Sequence, residues 1–185
     1  MAALSRATKM AKQVINDARV KVAPVQIDQI AEKYAHIVRK QLPPEVSGML
    51  VPLPPEGAKF RWAIVVNQEN VEVRQRFTIA HELGHLLLHR YTTPHADAGY
   101  KVRFRDQDSS AGSIKEEIEA NQFAAELLMP EDLILSRLET IGFDYTSPDV
   151  ETATMVRKLS SIAKEYEVST QALSIRIANL AHSGI

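Results

Sequence analysis

The chain of 185 residues contains no cysteine. Disulfides, thiolate metal sites and cysteine nucleophiles are therefore excluded, and the composition suits a reducing compartment. Charge imbalance is also missing. The 22 Lys and Arg against 23 Asp and Glu leave a formal net charge of −1, which excludes a chain that holds nucleic acid by bulk positive charge. Long apolar runs are absent: Ala63-Ile64-Val65-Val66 falls far short of the ~20 residues of a membrane span. The first ten residues lack the apolar core of a secretory signal. There is no internal repeat and no low-complexity tract. A soluble, cytoplasmic protein is the expectation. What is present is a hydrophobic fraction of 45%, enough for a core in one domain of roughly 150 residues with a small appendage.

Leu4, Ala7, Ala11, Val14, Ile15 and Ala18 recur at helical spacing, so a first amphipathic helix is expected. Pro24 breaks it and opens a second helix through Tyr34. Two short strands are expected at 46–51 and 62–67, joined by a loop rich in Pro and Gly. From about Val71 to Arg90 the pattern is a helix apolar nearly all round, which belongs in the middle of a domain. A polar stretch follows, with a possible strand over 101–105. A helix over 113–129 ends at Pro130, which opens another to Ile141. Two last helices are expected at 148–166 and 169–182. Helices, strands and then helices argue α+β. The expected division of the one domain is an extension over 1–23, a core over 24–141 and C-terminal helices over 142–185.

The chemistry sits in the central helix. His81-Glu82-Leu83-Gly84-His85 is an HExxH pattern. Four residues advance about 400° and rise about 6 Å, so His81 and His85 stand one above the other and can reach one Zn²⁺. Glu82 lies on the same side, placed to act as general base toward a water in the site. Chance would also have to put two histidines and a glutamate into an apolar helix, where unpartnered polar groups are costly. His89 lies about 12 Å along the helix from His81, too far to share the ion. It reads as a basic residue near a helix C-terminus. Leu88 and Tyr91 stand where a longer HExxHxxGxxH pattern needs Gly and His, so that version is excluded.

A catalytic zinc usually has three protein ligands and an open position. On a helical wheel for 113–129, Lys115, Glu119, Gln122 and Glu126 form the solvated face. Glu117 falls within the apolar sector made by Ile114, Ile118, Phe123, Ala124 and Leu128, with Asn121 beside it. Glu117 is the candidate third ligand, and the alternative is a buried ion pair with Arg74 or Arg76. Glu116 fits a capping box with Ser113. Asn121 is either a residue that orients a ligand histidine or a plain packing amide.

The run Arg74–His89, together with Glu117–Pro130, resembles the ImmA/IrrE family of zinc metallo-endopeptidases. Val46-Ser47-Gly48-Met49-Leu50 and Phe104-Arg105-Asp106 share the likeness, which covers most of 24–140. The resemblance implies a small zincin-like, gluzincin-like fold, with a short, mostly antiparallel sheet beside a buried active-site helix. It implies zinc on two His and one Glu, with the family's Glu-x-x-x-Asn element on Glu117 and Asn121 and the general base on Glu82. It also implies a hydrolase that cleaves a helix-turn-helix repressor, and so a role in transcription regulation.

The expected partner is a protein or peptide substrate, lying extended along an edge strand, with no direct contact to nucleic acid or membrane. Sites of this type also accept Mn²⁺, Co²⁺ or Fe²⁺. His95, Tyr91, Tyr100, Arg103 and Arg105 are candidates for an additional oxyanion donor. Lys101, Arg103 and Arg105 alternate, so they are either a basic strand face or a solvated run. Residues 159–180 admit a helix-turn-helix reading, against which stand a net charge of only +2 over 157–185 and a turn without glycine. Structural or partner-docking helices are the favoured reading there. The competing function is a metal-bound module that sequesters a regulator without cutting it. Such a module has no need of Glu82.

Overall fold

The computed structural model describes residues 5–54, 59–89, 95–97, 107–143 and 153–183. Helix α1 spans Arg6–Asp17 and starts at Ser5, whose hydroxyl accepts from the Thr8 amide. Its buried stripe is Ala7, Ala11 and Val14. The alanines let it lie close against the later helix α4 (Gln107–Leu128). Helix α2 is only Ile27–Ala31, shorter than the sequence suggests. The next residues form a strand that the sequence reading misses: β1, His36–Lys40.

Strand β2 is Gly48–Pro52, β3 is Trp62–Asn67 and β4 is His95–Asp97. They form a mixed sheet in the order β1-β3-β2-β4. β1 runs parallel to β3, with Val38 opposite Val65. β2 is antiparallel to β3 and to β4, with Gly48 opposite Val66 and Met49 opposite Ala96. The apolar run of β3 is explained by its central place, with Ala63, Ile64 and Val66 buried. The expected strand over 101–105 lies outside the described residues.

Helix α3, Glu72–Leu88, crosses this sheet, with Ile79, Ala80 and Leu83 fully buried. Its entry is fixed by polar side chains. Asn67, at the end of β3, donates to the carbonyls of Leu42, Pro43 and Val46 and accepts from the Glu69 amide. The Arg74 guanidinium donates to Ser47 Oγ at 2.7 Å, tying α3 to the start of β2. At the other end, the Arg6 guanidinium donates to the Leu88 carbonyl, where a cation suits the helix dipole.

Helix α4 packs along α3. It begins six residues earlier than the expected start at Ser113. Ser113 is therefore inside the helix and not at its start, where a capping box would stand. Helix α5, Glu131–Thr140, follows Pro130. Lys12 of α1 donates to Glu131 at 2.7 Å, and this hydrogen bond raises the lysine pKa above its ordinary value.

Helices α6, Ala153–Glu165, and α7, Thr170–Ser183, form a C-terminal hairpin. Its tight turn contains no glycine, and Glu167 takes the left-handed conformation at φ 53°. Arginine side chains tether the hairpin, among them Arg137 of α5, which pairs with Glu165 of α6 at 2.8 Å. Arg76 of α3 is 7% exposed, pairs with the Glu167 carboxylate at 3.1 Å and also donates to the Val25 carbonyl. Arg176 of α7 pairs with Glu126 of α4 and donates to the Met129 carbonyl. Burial pushes the Tyr166 phenol in this hairpin up to about 12. Among the described residues no helix is long and apolar enough to cross a membrane.

Candidate metal centre

The site is built from α3 and α4. The four-residue spacing stacks His81 and His85 on one side of α3, with ring centroids 4.6 Å apart. Their Nε2 atoms converge to 3.0 Å. From α4, Glu117 brings one carboxylate oxygen to 3.1 Å from His85 Nε2 and the other to 3.3 Å from His81 Nε2. The histidine side chains are 3% and 0% exposed, and Glu117 is 38% exposed. The cluster is thus sealed on the α3 side and opens to solvent on the α4 side.

Glycine makes this approach of the two helices possible. A Cβ on Gly84 would meet the Phe123 ring at 3.0 Å and the Ala120 Cα at 3.2 Å. With hydrogen there instead, α4 lies close enough for Glu117 to reach the histidines.

The donor set fits a divalent metal. Tetrahedral donors about 2.0–2.1 Å from zinc lie roughly 3.3 Å from one another, and the separations here are 3.0 to 3.3 Å. His81, His85 and Glu117 can therefore hold a metal ion together. The ring orientation fits as well. His81 Nδ1 lies 3.1 Å from Asn121 Oδ1. An amide oxygen only accepts, so the ring hydrogen sits on Nδ1 and the Nε2 lone pair faces the cluster. Asn121 thus hydrogen-bonds a ring of the cluster.

Glu82 is fully buried. Its Oε1 lies 3.5 Å from where a Cβ on Gly48 would stand, so the carboxylate packs over the first residue of β2. That Cβ would also come within 2.3 Å of the Thr78 methyl and 3.1 Å of the Val65 carbonyl. A Gly48→Ala variant is expected to lose about 1–3 kcal/mol through overpacking, read as a lower urea midpoint. An unchanged midpoint would mean that the β2–α3 contact yields freely.

Several sequence expectations are corrected here. Glu119 does not simply face water: it meets His89 Nε2 at 3.0 Å, and this hydrogen bond holds its carboxyl below the usual range. Glu126 is not on a solvated face but is 1% exposed beneath Arg176. Ile114 and Ile118, placed in the apolar sector, are 59% and 51% exposed. Neither Arg74 nor Arg76 pairs with Glu117: Arg74 bonds Ser47, and Arg76 bonds the Val25 carbonyl and the Glu167 carboxylate. His89 is a residue whose place the sequence reading missed. It stands outside the His81–His85–Glu117 cluster, yet its Nδ1 lies 3.3 Å from His85 Nδ1. Its spacing, i+4 from His85, is the signal that could have found it. The candidate oxyanion donors Tyr91, Tyr100, Arg103 and Arg105 lie outside the described residues, and the His95 side chain is not described either.

A small mixed sheet, a buried HExxH helix and a carboxylate from the next helix define a metallopeptidase-type hydrolase. The chain matches the IrrE N-terminal-like domain of the peptidase M78 family over residues 24–178. It belongs to that family, the ImmA/IrrE family of metallopeptidases. The match includes the α6–α7 hairpin almost to its end. No curated protein matches the chain.

Proposed function

We propose that this protein is a zinc-dependent endopeptidase of the cytoplasm. Its substrate is a protein, and a helix-turn-helix transcriptional repressor is the class to which the family likeness points. The observation that carries the reading is the placement of Glu82. It is a fully buried carboxylate, next in sequence to one convergent histidine and three residues before the other.

His81, His85 and Glu117 would hold a divalent ion, which would supply Lewis acidity to lower the pKa of water and polarise a carbonyl. The residues of the chain do the rest. Asn121 keeps the His81 lone pair turned inward. Glu82 takes the proton from the attacking water and later delivers it to the leaving amine. Burial on the α3 side excludes competing solvent.

Among the described residues β2 is enclosed between β3 and β4, so the sheet edge nearest Gly48 is β4. An extended substrate adds to that edge by backbone pairing. Lys158 and Arg176, two of the four cations in 157–185, bond the Ile141 carbonyl and Glu126. Internal engagement of these cations supports a docking or structural role for the hairpin over one in DNA contact.

The test is incubation of the zinc-loaded protein with purified helix-turn-helix regulators and with a proteome-derived peptide library, read by mass spectrometry. Internal cleavage that a chelator abolishes is expected. Tight capture of intact regulators without cleavage of any peptide would replace this reading with the sequestering module.

A further inference from the structure

We infer that His89 and Glu119 form a relay that fixes which nitrogen of the His85 ring is presented to the metal. The inference rests on the metal-site reading above. Glu119 can only accept, so its 3.0 Å contact places the hydrogen of His89 on Nε2. In a neutral ring that leaves Nδ1 as a lone pair. This lone pair lies 3.3 Å from His85 Nδ1, and only a His85 ring with its hydrogen on Nδ1 can donate to it. His85 Nε2 is then bare, and it is the atom that lies 3.0 Å from His81 Nε2 and 3.1 Å from Glu117 Oε1.

The contacts have one consistent direction: carboxylate, imidazole, imidazole, metal. The His89 side chain is 6% exposed and that of Glu119 is 18% exposed, so water competes weakly for them. The two ligand rings are oriented by different devices, a single amide for His81 and an imidazole–carboxylate pair for His85. His89, held by Glu119, acts on the cluster through His85 Nδ1. Both are positioning residues.

A merely structural role for His89, holding the end of α3, makes different predictions. The experiment is a chelator-competition measurement of zinc affinity for the parent, His89→Leu, His89→Gln, Glu119→Gln and the His89→Leu/Glu119→Gln pair. Thermal melting of the metal-free proteins accompanies it. His89→Leu is expected to weaken zinc binding 10- to 100-fold, as loss of a group that orients a ligand does. His89→Gln, whose amide offers an acceptor to His85 and a donor to Glu119, is expected to recover most of that loss. Glu119→Gln is expected to weaken binding alone but add nothing in the His89→Leu background.

Long-range proton–nitrogen spectra of the metal-free parent read the ring directly, and His85 is expected in its Nδ1–H form. Parent-like affinity in His89→Leu, equal losses in the Leu and Gln variants, or His85 in the Nε2–H form would each overturn the relay. A parent with His85 in the Nδ1–H form that binds no zinc would support the relay and refute the metal-site reading, so the two failures are separable.

Discussion

A Glu82→Gln variant is expected to hold the metal as the parent does and to lose at least about 10²-fold in kcat/KM, the usual range for removing a general base being 10²–10⁴. Gln has nearly the same volume, so the packing over Gly48 and beside Thr78 is preserved. What is lost is the ability to take a proton. Glu82 is not among the three side chains that can jointly hold the ion, so metal content should not change. Steady-state cleavage of the best peptide from the library, alongside metal analysis, makes the comparison. A variant that kept more than about a tenth of the parent's activity would contradict the role assigned to Glu82. If instead the variant silenced cleavage but kept the protein's effect on a regulator in cells, sequestration would be the operative mechanism.

The second large effect lies away from the chemistry. Glu126 is 1% exposed, and its carboxylate takes the Arg176 guanidinium on one oxygen while the other accepts the Glu131 amide at the start of α5. Arg176→Met is expected to destabilise the fold by about 3–5 kcal/mol, because it leaves a buried carboxylate without its counter-charge. A second change, Glu126→Gln, should then recover most of the loss, since it removes the charge but keeps an oxygen for the Glu131 amide. Urea unfolding of the parent, the single variant and the pair measures both. A loss under 1 kcal/mol in Arg176→Met, or no recovery in the pair, would show that the α7 tether is not what satisfies Glu126.

The metal-site candidates and their secondary structure were legible in the sequence for a definite reason. His81, Glu82 and His85 are polar residues in an otherwise apolar helix, and helical periodicity alone stacks the two imidazoles. Glu117 was found by its place on the α4 wheel, though its surroundings are not core. Ile114 and Ile118 beside it stand in solvent, and Glu117 is set apart from other surface acids by the histidines it faces. The wheel could not see α7, so Glu126 read as solvated when a helix 50 residues later covers it. Nor could it see that His89 swings off the end of α3 to meet Glu119. β1 was missed because an edge strand with exposed His36, Arg39 and Lys40 carries little apolar signal. Its identity comes from pairing with β3, which local pattern does not report. Pairings between distant segments are what the sequence leaves out, and three of them, α3 with α4, α4 with α7 and β1 with β3, account for most of the differences.

The most direct test of the central claim is the metal content of the purified protein beside a Glu117→Ala variant, after both are offered zinc and desalted. The account predicts one zinc per chain in the parent and its loss or marked weakening in the variant, with both proteins folded. A parent that retains no metal, or a variant that retains it as firmly as the parent, would contradict a site made by His81, His85 and Glu117.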